Sequence, residues 1–302
     1  MKRIVVTLIG STLFAVLAVA CGTGGPSSLG LAPGSTPTGN PSTSPTPSTG
    51  PTSTGSPSAS PAPSPGPPFT FEVWFTRGGQ LFEVSRTEPL VPGIGRLAVS
   101  RAIAGPSFTE RAASVESAIP PATRVLGLTI RSGLATVDLS SDFESNPVPA
   151  SMNIRVAQVT YTLTQFSTVQ RVAFQIDGRP RTEVGGFPTA QPQTRAMFDA
   201  VLPAILVETP SIGGWVSSPV TVSGTANVFE ATVTVRVLDA SGHEIARTFT
   251  QASCGTGCRG SYSVSVAYSL TSQQPGTIEV FEASAKDGSP ENVQDIPVTL
   301  VP

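Results

Sequence analysis

Phe69, Phe71, Val73 and Phe75 alternate with polar or exposed positions, and a period of two predicts a strand. Gly78-Gly79 turns it into a second short strand, Leu81 to Val84. Arg96 to Ala104 reads as a short helix. Gly105-Pro106 stops it, because glycine takes a left-handed cap and proline cannot continue. Leu126, Leu128 and Ile130 alternate again, Arg131-Ser132-Gly133 turns, and Ala135, Val137 and Leu139 return. Met152, Val156, Val159 and Leu163 fit a helical stripe, yet Ala157, Val159, Tyr161 and Leu163 also alternate as a strand would. The pattern leaves both readings open. Val172, Phe174 and Ile176 form a last strand, ended by Asp177-Gly178. This order of elements predicts an α+β fold.

After residue 192 the helical period disappears. Short strands are predicted at Thr221–Ser223, Thr232–Leu238, His243–Gln251, Ser261–Tyr268, Thr277–Ala283 and Gln294–Val301. Turns such as Asp239-Ala240-Ser241-Gly242 and Asp287-Gly288 separate them. Tyr262, Val264, Val266 and Tyr268 alternate with Ser261, Ser263 and Ser265, one face buried and one wet. Many short strands between turns argue for an all-β sandwich. Pro180 to Pro192, with several Pro and Gly, is the expected junction between the two parts.

The first 68 residues are different in kind. Lys2 and Arg3 precede an uncharged apolar stretch, Ile4 to Ala20, and then Cys21, the pattern of a secretory signal. Leu17-Ala18-Val19-Ala20-Cys21 resembles the bacterial lipobox, with Ala18 where leucine is commoner. The resemblance implies that Cys21 carries lipid and anchors the chain in membrane lipid. The alternative is a plain transmembrane anchor, for which the stretch is at the lower length limit. From Gly22 to Pro68 the chain is almost entirely Gly, Ser, Thr, Pro and Ala, with no charge. Such a segment has too little apolar surface to offset chain entropy, so a disordered tether is expected. At ~3.1 Å per residue in polyproline II it reaches at most on the order of 150 Å.

With Cys21 assigned to lipid, Cys254 and Cys258 remain, and an even number in an exported chain favours a disulfide. A metal or redox pair is the rival, but soft ligands are scarce and His243 is the lone histidine. A net charge of −2 offers no basic patch for nucleic acid.

Two stretches resemble known families. Ala104-Gly105-Pro106, Ser117 through Thr123, Gly133 with Val137-Asp138-Leu139-Ser140, Thr162 through Phe166, and Ile176-Asp177-Gly178 look like the GerMN domain of sporulation and spore-germination proteins. That resemblance implies a compact α+β fold related to ring-building modules, and it tips Met152–Phe166 toward helix. Trp215 through Pro219, Val222 through Ala226, Val228-Phe229-Glu230-Ala231, Gly260, Val280 through Ala285 and Asp287-Gly288-Ser289 are similar to the immunoglobulin-like domain of bacterial spore germination. The expected organisation is a signal peptide at 1–20, a tether at 21–68, a GerMN-like domain at 69–182, a linker at 183–204 and an immunoglobulin-like sandwich at 205–302. The family implies an accessory or assembly role.

Catalytic patterns are weak. His243 follows Gly242 in a predicted turn and reads as a solvated residue, not a base. There is no G-x-S-x-G elbow and no phosphate-binding glycine loop. Asp138 and Asp142 could form a glycosidase pair, but Ser140, Ser141 and Asp142 read more simply as a helix N-cap with acidic first-turn residues. Glu230 and Glu282, with Asp239, Asp287 or Asp295, could hold calcium; glutamates bonded to backbone are the plainer reading. Trp74 and Trp215 could stack sugars, although packing is the commoner use. The expectation is therefore an extracytoplasmic, lipid-anchored, non-enzymatic binding or assembly module without cofactor or metal. Its expected partner is an envelope protein, either a ring-forming complex or a membrane sensor kinase. A module binding cell-wall glycan, or an envelope hydrolase using Asp138 and Asp142, are the alternatives.

Overall fold

The computed structural model describes residues 66–302. The expected signal peptide, Cys21 and all but the last residues of the expected tether lie outside them. The described residues, 66–302, belong to one compact unit.

The alternating run at the start forms β1 (Pro68–Arg77), and Gly78-Gly79 returns it as β2 (Gln80–Pro89). Arg77 pairs directly with Gln80, so the turn has two residues. Both glycines have positive φ, 58° and 78°, which such a turn requires. β2 is longer than the sequence reading, because its polar second half still pairs with β1 as far as Pro68 opposite Pro89. Then come α1 (Ile94–Ala104), α2 (Phe108–Ala112) and β3 (Val115–Glu116), which adds to the other edge of β1. Gly105 does end α1, but with φ 84° and ψ 177° it lies outside the left-handed helical region. Ser107 caps α2 in a reciprocal box with Glu110.

β4 (Val125–Arg131) and β5 (Gly133–Leu139) form the second hairpin. A single 3₁₀ turn, Ser141–Glu144, leads to α3 (Pro149–Thr164). The ambiguous stretch is thus a helix. It packs against α1, β1 and β6 (Val169–Ile176), and nearly its whole surface is buried. β6 lies parallel to β5, the crossover running through α3, and β7 (Arg179–Pro180) completes a sheet ordered β4-β5-β6-β7.

Residues 183–204, read from sequence as a linker, are folded. β8 (Glu183–Val184) and β9 (Phe187–Pro188) make a small hairpin, and a 3₁₀ segment at Arg195–Val201 packs on α3. Val184 and Phe198 are fully buried. Their apolar side chains cover the helix, which is why the Pro- and Gly-rich sequence is ordered here.

The second part is a sandwich. β10 (Ile205–Thr209) and β11 (Trp215–Ser217) were not visible in the sequence pattern. They are followed by β12 (Val220–Ala226), β13 (Thr232–Leu238), β14 (Glu244–Gln251), β15 (Gly260–Val266), β16 (Gln274–Ala283) and β17 (Pro290–Val301). One sheet runs β10-β12-β15 and the other β11-β17-β16-β13-β14. Val222, Ala226, Tyr262 and Val266 face Val233, Val237, Ile278, Ile296 and Leu300 in a common core. The chain is therefore an α+β domain followed by an all-β immunoglobulin-like sandwich.

Candidate functional site

The most unusual chemistry lies where the two domains meet. On the β1–β2 hairpin, Trp74 stands opposite Glu83 and Glu72 opposite Ser85, so these four share one face. β10 of the sandwich lies beside β2 and brings Glu208 to that face. The result is a cleft of about 390 Å³ lined by Glu72, Glu83, Glu208, Gln165 and the rings of Phe69 and Phe166 among others.

The end of α3 fixes the near wall. Gln165 accepts from the Glu72 amide at 2.6 Å and donates to the Glu72 carbonyl at 2.6 Å, so one side chain holds both backbone groups of the strand. Thr162 Oγ1 accepts from the Trp74 amide at 3.2 Å. Behind the cleft, Arg195 lies 4.8 Å from the Tyr161 ring centre and 5.4 Å from that of Trp74. It donates to Glu72 Oε2 at 3.2 Å, to Thr164 Oγ1 at 3.0 Å and to the Tyr161 carbonyl at 3.1 Å. Glu72 Oε2 also accepts from the Trp74 indole at 3.0 Å. Glu72 and Arg195 are thereby committed to each other and to their neighbours.

Glu83 differs. It is 9% exposed, and among the described residues its carboxyl has no hydrogen-bond or ion-pair partner. Burial pushes the carboxyl up to about 9, reinforced by the charges of Glu72 and Glu208 and opposed by Arg195. Glu208 is exposed as a residue, but desolvation of its carboxyl against the hairpin, with Glu72 adding, also raises it. At neutral pH Glu83 is therefore held as a neutral acid.

The residues singled out from sequence lie elsewhere. Asp138 Oδ1 accepts from the Gly178 amide at 2.9 Å, and Asp142 Oδ2 accepts from Ser140 Oγ at 3.0 Å. Ser140 precedes the 3₁₀ turn but does not cap it; its hydroxyl accepts from the Arg124 amide instead. His243 stands in a solvated turn beside Asp239, its side chain 81% exposed. Glu282 accepts from the Phe229 amide at 2.6 Å and from Asn292 at 2.8 Å, while Glu230 sits in a 3₁₀ turn at φ 51°. Among the described residues no group of three or more His, Cys, Asp or Glu could hold a metal ion. Trp74 is buried against Tyr161, whereas Trp215 is 70% exposed on β11. Cys254 and Cys258 lie in sulfur contact with Cα atoms 5.7 Å apart, a pair able to form a disulfide.

Residues 75–182 match the family described as sporulation and spore germination, and residues 204–289 match the immunoglobulin-like domain of bacterial spore germination. The chain joins a GerMN domain to an immunoglobulin-like spore-germination domain. In this two-domain protein the cleft is formed by the GerMN hairpin and the first strand of the immunoglobulin-like domain. The chain is similar to the first GerMN domain of the sporulation protein GerM from Bacillus subtilis, at 24% identity over 42% of this chain and 98% of that one, TM-score 0.35. It is similar to the tandem GerMN domains of the same protein at 17% identity, covering 77% of this chain and 60% of that one, TM-score 0.39. A lipoprotein structure from Clostridium perfringens is similar at 18% identity over 45% of this chain and 93% of that one, TM-score 0.33. No curated protein matches the chain.

Proposed function

We propose that this GerMN–immunoglobulin-like chain is a non-enzymatic binding and assembly module of the cell envelope. In this reading it is held outside the cytoplasmic membrane by lipid on Cys21 and carried on the 21–68 tether. The observation that supports it best is the direct joining of two domains of non-catalytic type. Arg77 donates to the Asp295 carbonyl at 2.8 Å, and Gln80 donates to the Leu202 carbonyl at 3.3 Å. Arg259, from the sandwich, donates to the Pro203 carbonyl at 2.6 Å. Such contacts suit a composite surface presented to a partner. The partner in this proposal is another envelope protein, either a ring-forming complex or a membrane sensor kinase.

Affinity capture from detergent-solubilised native membranes, with the full lipidated chain as bait and mass spectrometry as readout, tests the reading. A recurrent membrane protein is expected. Recovery of the bait alone refutes it.

A glycan-binding reading has one observation in its favour, the exposed indole of Trp215. Co-sedimentation with purified peptidoglycan that is lost in Trp215→Ala would establish it. A hydrolase reading would require wall-degrading activity that Asp138→Ala abolishes.

A further inference from the structure

We propose that the interdomain cleft receives the guanidinium of an arginine side chain from a protein partner, held between Glu83 and Glu208. This deepens the binding-module reading and rests on it.

The geometry carries the argument. Glu83 is nine-tenths buried, lines the cleft and has no partner of its own among the described residues. The Glu83 oxygens are not among the fully buried unpaired atoms, so they keep access to the cleft, where an incoming donor can reach them. Glu208 supplies a second carboxylate from the other domain, so the site exists only when the two domains are docked. Arg195 does not fill the role, because its donors are directed at Glu72, Thr164 and Tyr161. Glu72 already shares one carboxylate oxygen, Oε2, between Arg195 and the Trp74 indole.

The chemistry of the cleft selects the kind of cation. A hard metal needs six or more oxygens converging on one point. The carboxylates here repel one another but do not form a metal-holding group. A guanidinium is planar and spreads five N–H donors over its edge, so it can bridge acceptors too far apart to share an ion. The cleft also has Phe69 and Phe166 in its lining, apolar surface that suits the methylene stem of an arginine. Among the described residues none of this chain's own arginines donates to Glu83 or Glu208, and the proposal takes the side chain from a partner.

Charge balance gives a second readout. Glu72 on β1, Glu208 on β10 and Arg195 beside α3 are the charged groups that act on Glu83, which is protonated at pH 7.5 before any cation pairs with it. A guanidinium paired with it favours the carboxylate, so binding releases a proton to the solvent.

The test is calorimetric titration of the full chain, in detergent at pH 7.5, with the capped peptide acetyl-Gly-Arg-Gly-amide, its citrulline counterpart and calcium chloride. The arginine peptide is expected to bind saturably, with a heat that varies with buffer ionisation enthalpy as proton release requires. Glu83→Gln and Glu208→Gln are each expected to weaken it by about tenfold, the loss of one charge-assisted contact. Glu83→Gln should also remove the buffer dependence, while citrulline and calcium give no saturable heat. Equal binding of citrulline, a saturable calcium heat lost in Glu83→Gln, or arginine binding unaltered in both variants would overturn the proposal. Membrane capture separates the two ideas. If wild type and Glu83→Gln recover the same partner equally, the arginine site fails and the module reading stands. If neither recovers a partner, the module reading itself fails.

Discussion

Replacing Glu83 by glutamine should stabilise this protein at neutral pH. The carboxyl is raised to about 9 in the fold from an ordinary value of 4.5, chiefly by burial and then by Glu72 and Glu208. A carboxyl raised in this way holds its proton more tightly when folded. Its contribution is therefore fully present below pH 4.5 and is lost progressively as pH rises toward 9. At pH 7 the unfolded chain has already gained about 3 kcal/mol from ionising this group, at about 1.4 kcal/mol per pH unit above its ordinary value. Glutamine keeps the shape and the neutral state but removes that gain. Urea denaturation of the full chain, followed by tryptophan fluorescence, measures the difference at pH 5, 7 and 8.5. Wild type and Glu83→Gln should have nearly equal stability at pH 5, and the variant should lead by about 3 kcal/mol at pH 7 and by more at pH 8.5. A stability difference that does not change with pH would refute the reasoning, because it would mean that Glu83 ionises within the folded protein much as it does in water.

Three further outcomes are expected. Glu110 is bound by Arg86 through two contacts of 2.6 Å and its side chain is only 5% exposed. Arg86→Ala should cost about 3 kcal/mol in the same denaturation assay. Burial alone would raise the Glu110 carboxyl, but the Arg86 and Ser107 hydrogen bonds outweigh it and hold it below its ordinary value. Wild type should therefore lose stability as pH falls below 4.5, and the variant should lose less of it over that range. Gln158, fully buried, donates to the Trp74 carbonyl at 2.9 Å and accepts from the Ala118 amide at 2.8 Å; Gln158→Leu leaves both orphaned and should cost about 2–4 kcal/mol by calorimetric melting. Intact mass before and after reduction should show a Cys254–Cys258 bond, and its removal should cost only about 2 kcal/mol because the closed loop is short.

The alternation of Phe69, Phe71, Val73 and Phe75 made β1 readable, and the Tyr262 to Tyr268 alternation did the same for β15, because in both one face is buried and the other carries polar residues. α3 was harder. Its burial on nearly all sides erased the polar face that separates a helix from a strand, and the family resemblance decided it. β10 escaped because Ile205, Leu206 and Val207 are all buried, so no alternation exists to be seen. That omission also hid the cleft. Glu83 lies within Leu81-Phe82-Glu83-Val84, a short apolar run whose pattern does not say what covers it. β10, from the other domain, covers Glu83 there, while Tyr161 and Arg195 cover Trp74 on the same face. A single ionisable residue inside an apolar strand was a visible signal; the strand that buries it, more than a hundred residues away in sequence, was not. The residues singled out instead, Asp138, Asp142, His243, Glu230 and Glu282, stand in turns, at strand ends or on the outer faces of strands, where hydrogen bonds with nearby backbone or hydroxyl groups occupy several of them.

The clamp on β1 has a consequence for when this protein can fold. The Glu72 amide waits for Gln165, 93 residues later, and the Glu72 carboxylate for Arg195, 123 residues later. Pairing at such separations comes slowly, because the intervening loop must close before any contact rewards it. With synthesis at about 5–20 residues per second, the first hairpin emerges on the order of ten seconds before its covering helix and arginine exist. During that interval the β1–β2 hairpin is a lone two-stranded ribbon, marginal in water. The first described strand pair is thus made well before the side chains that lock it, which keeps that part of the nascent chain open to any machinery that requires an extended substrate.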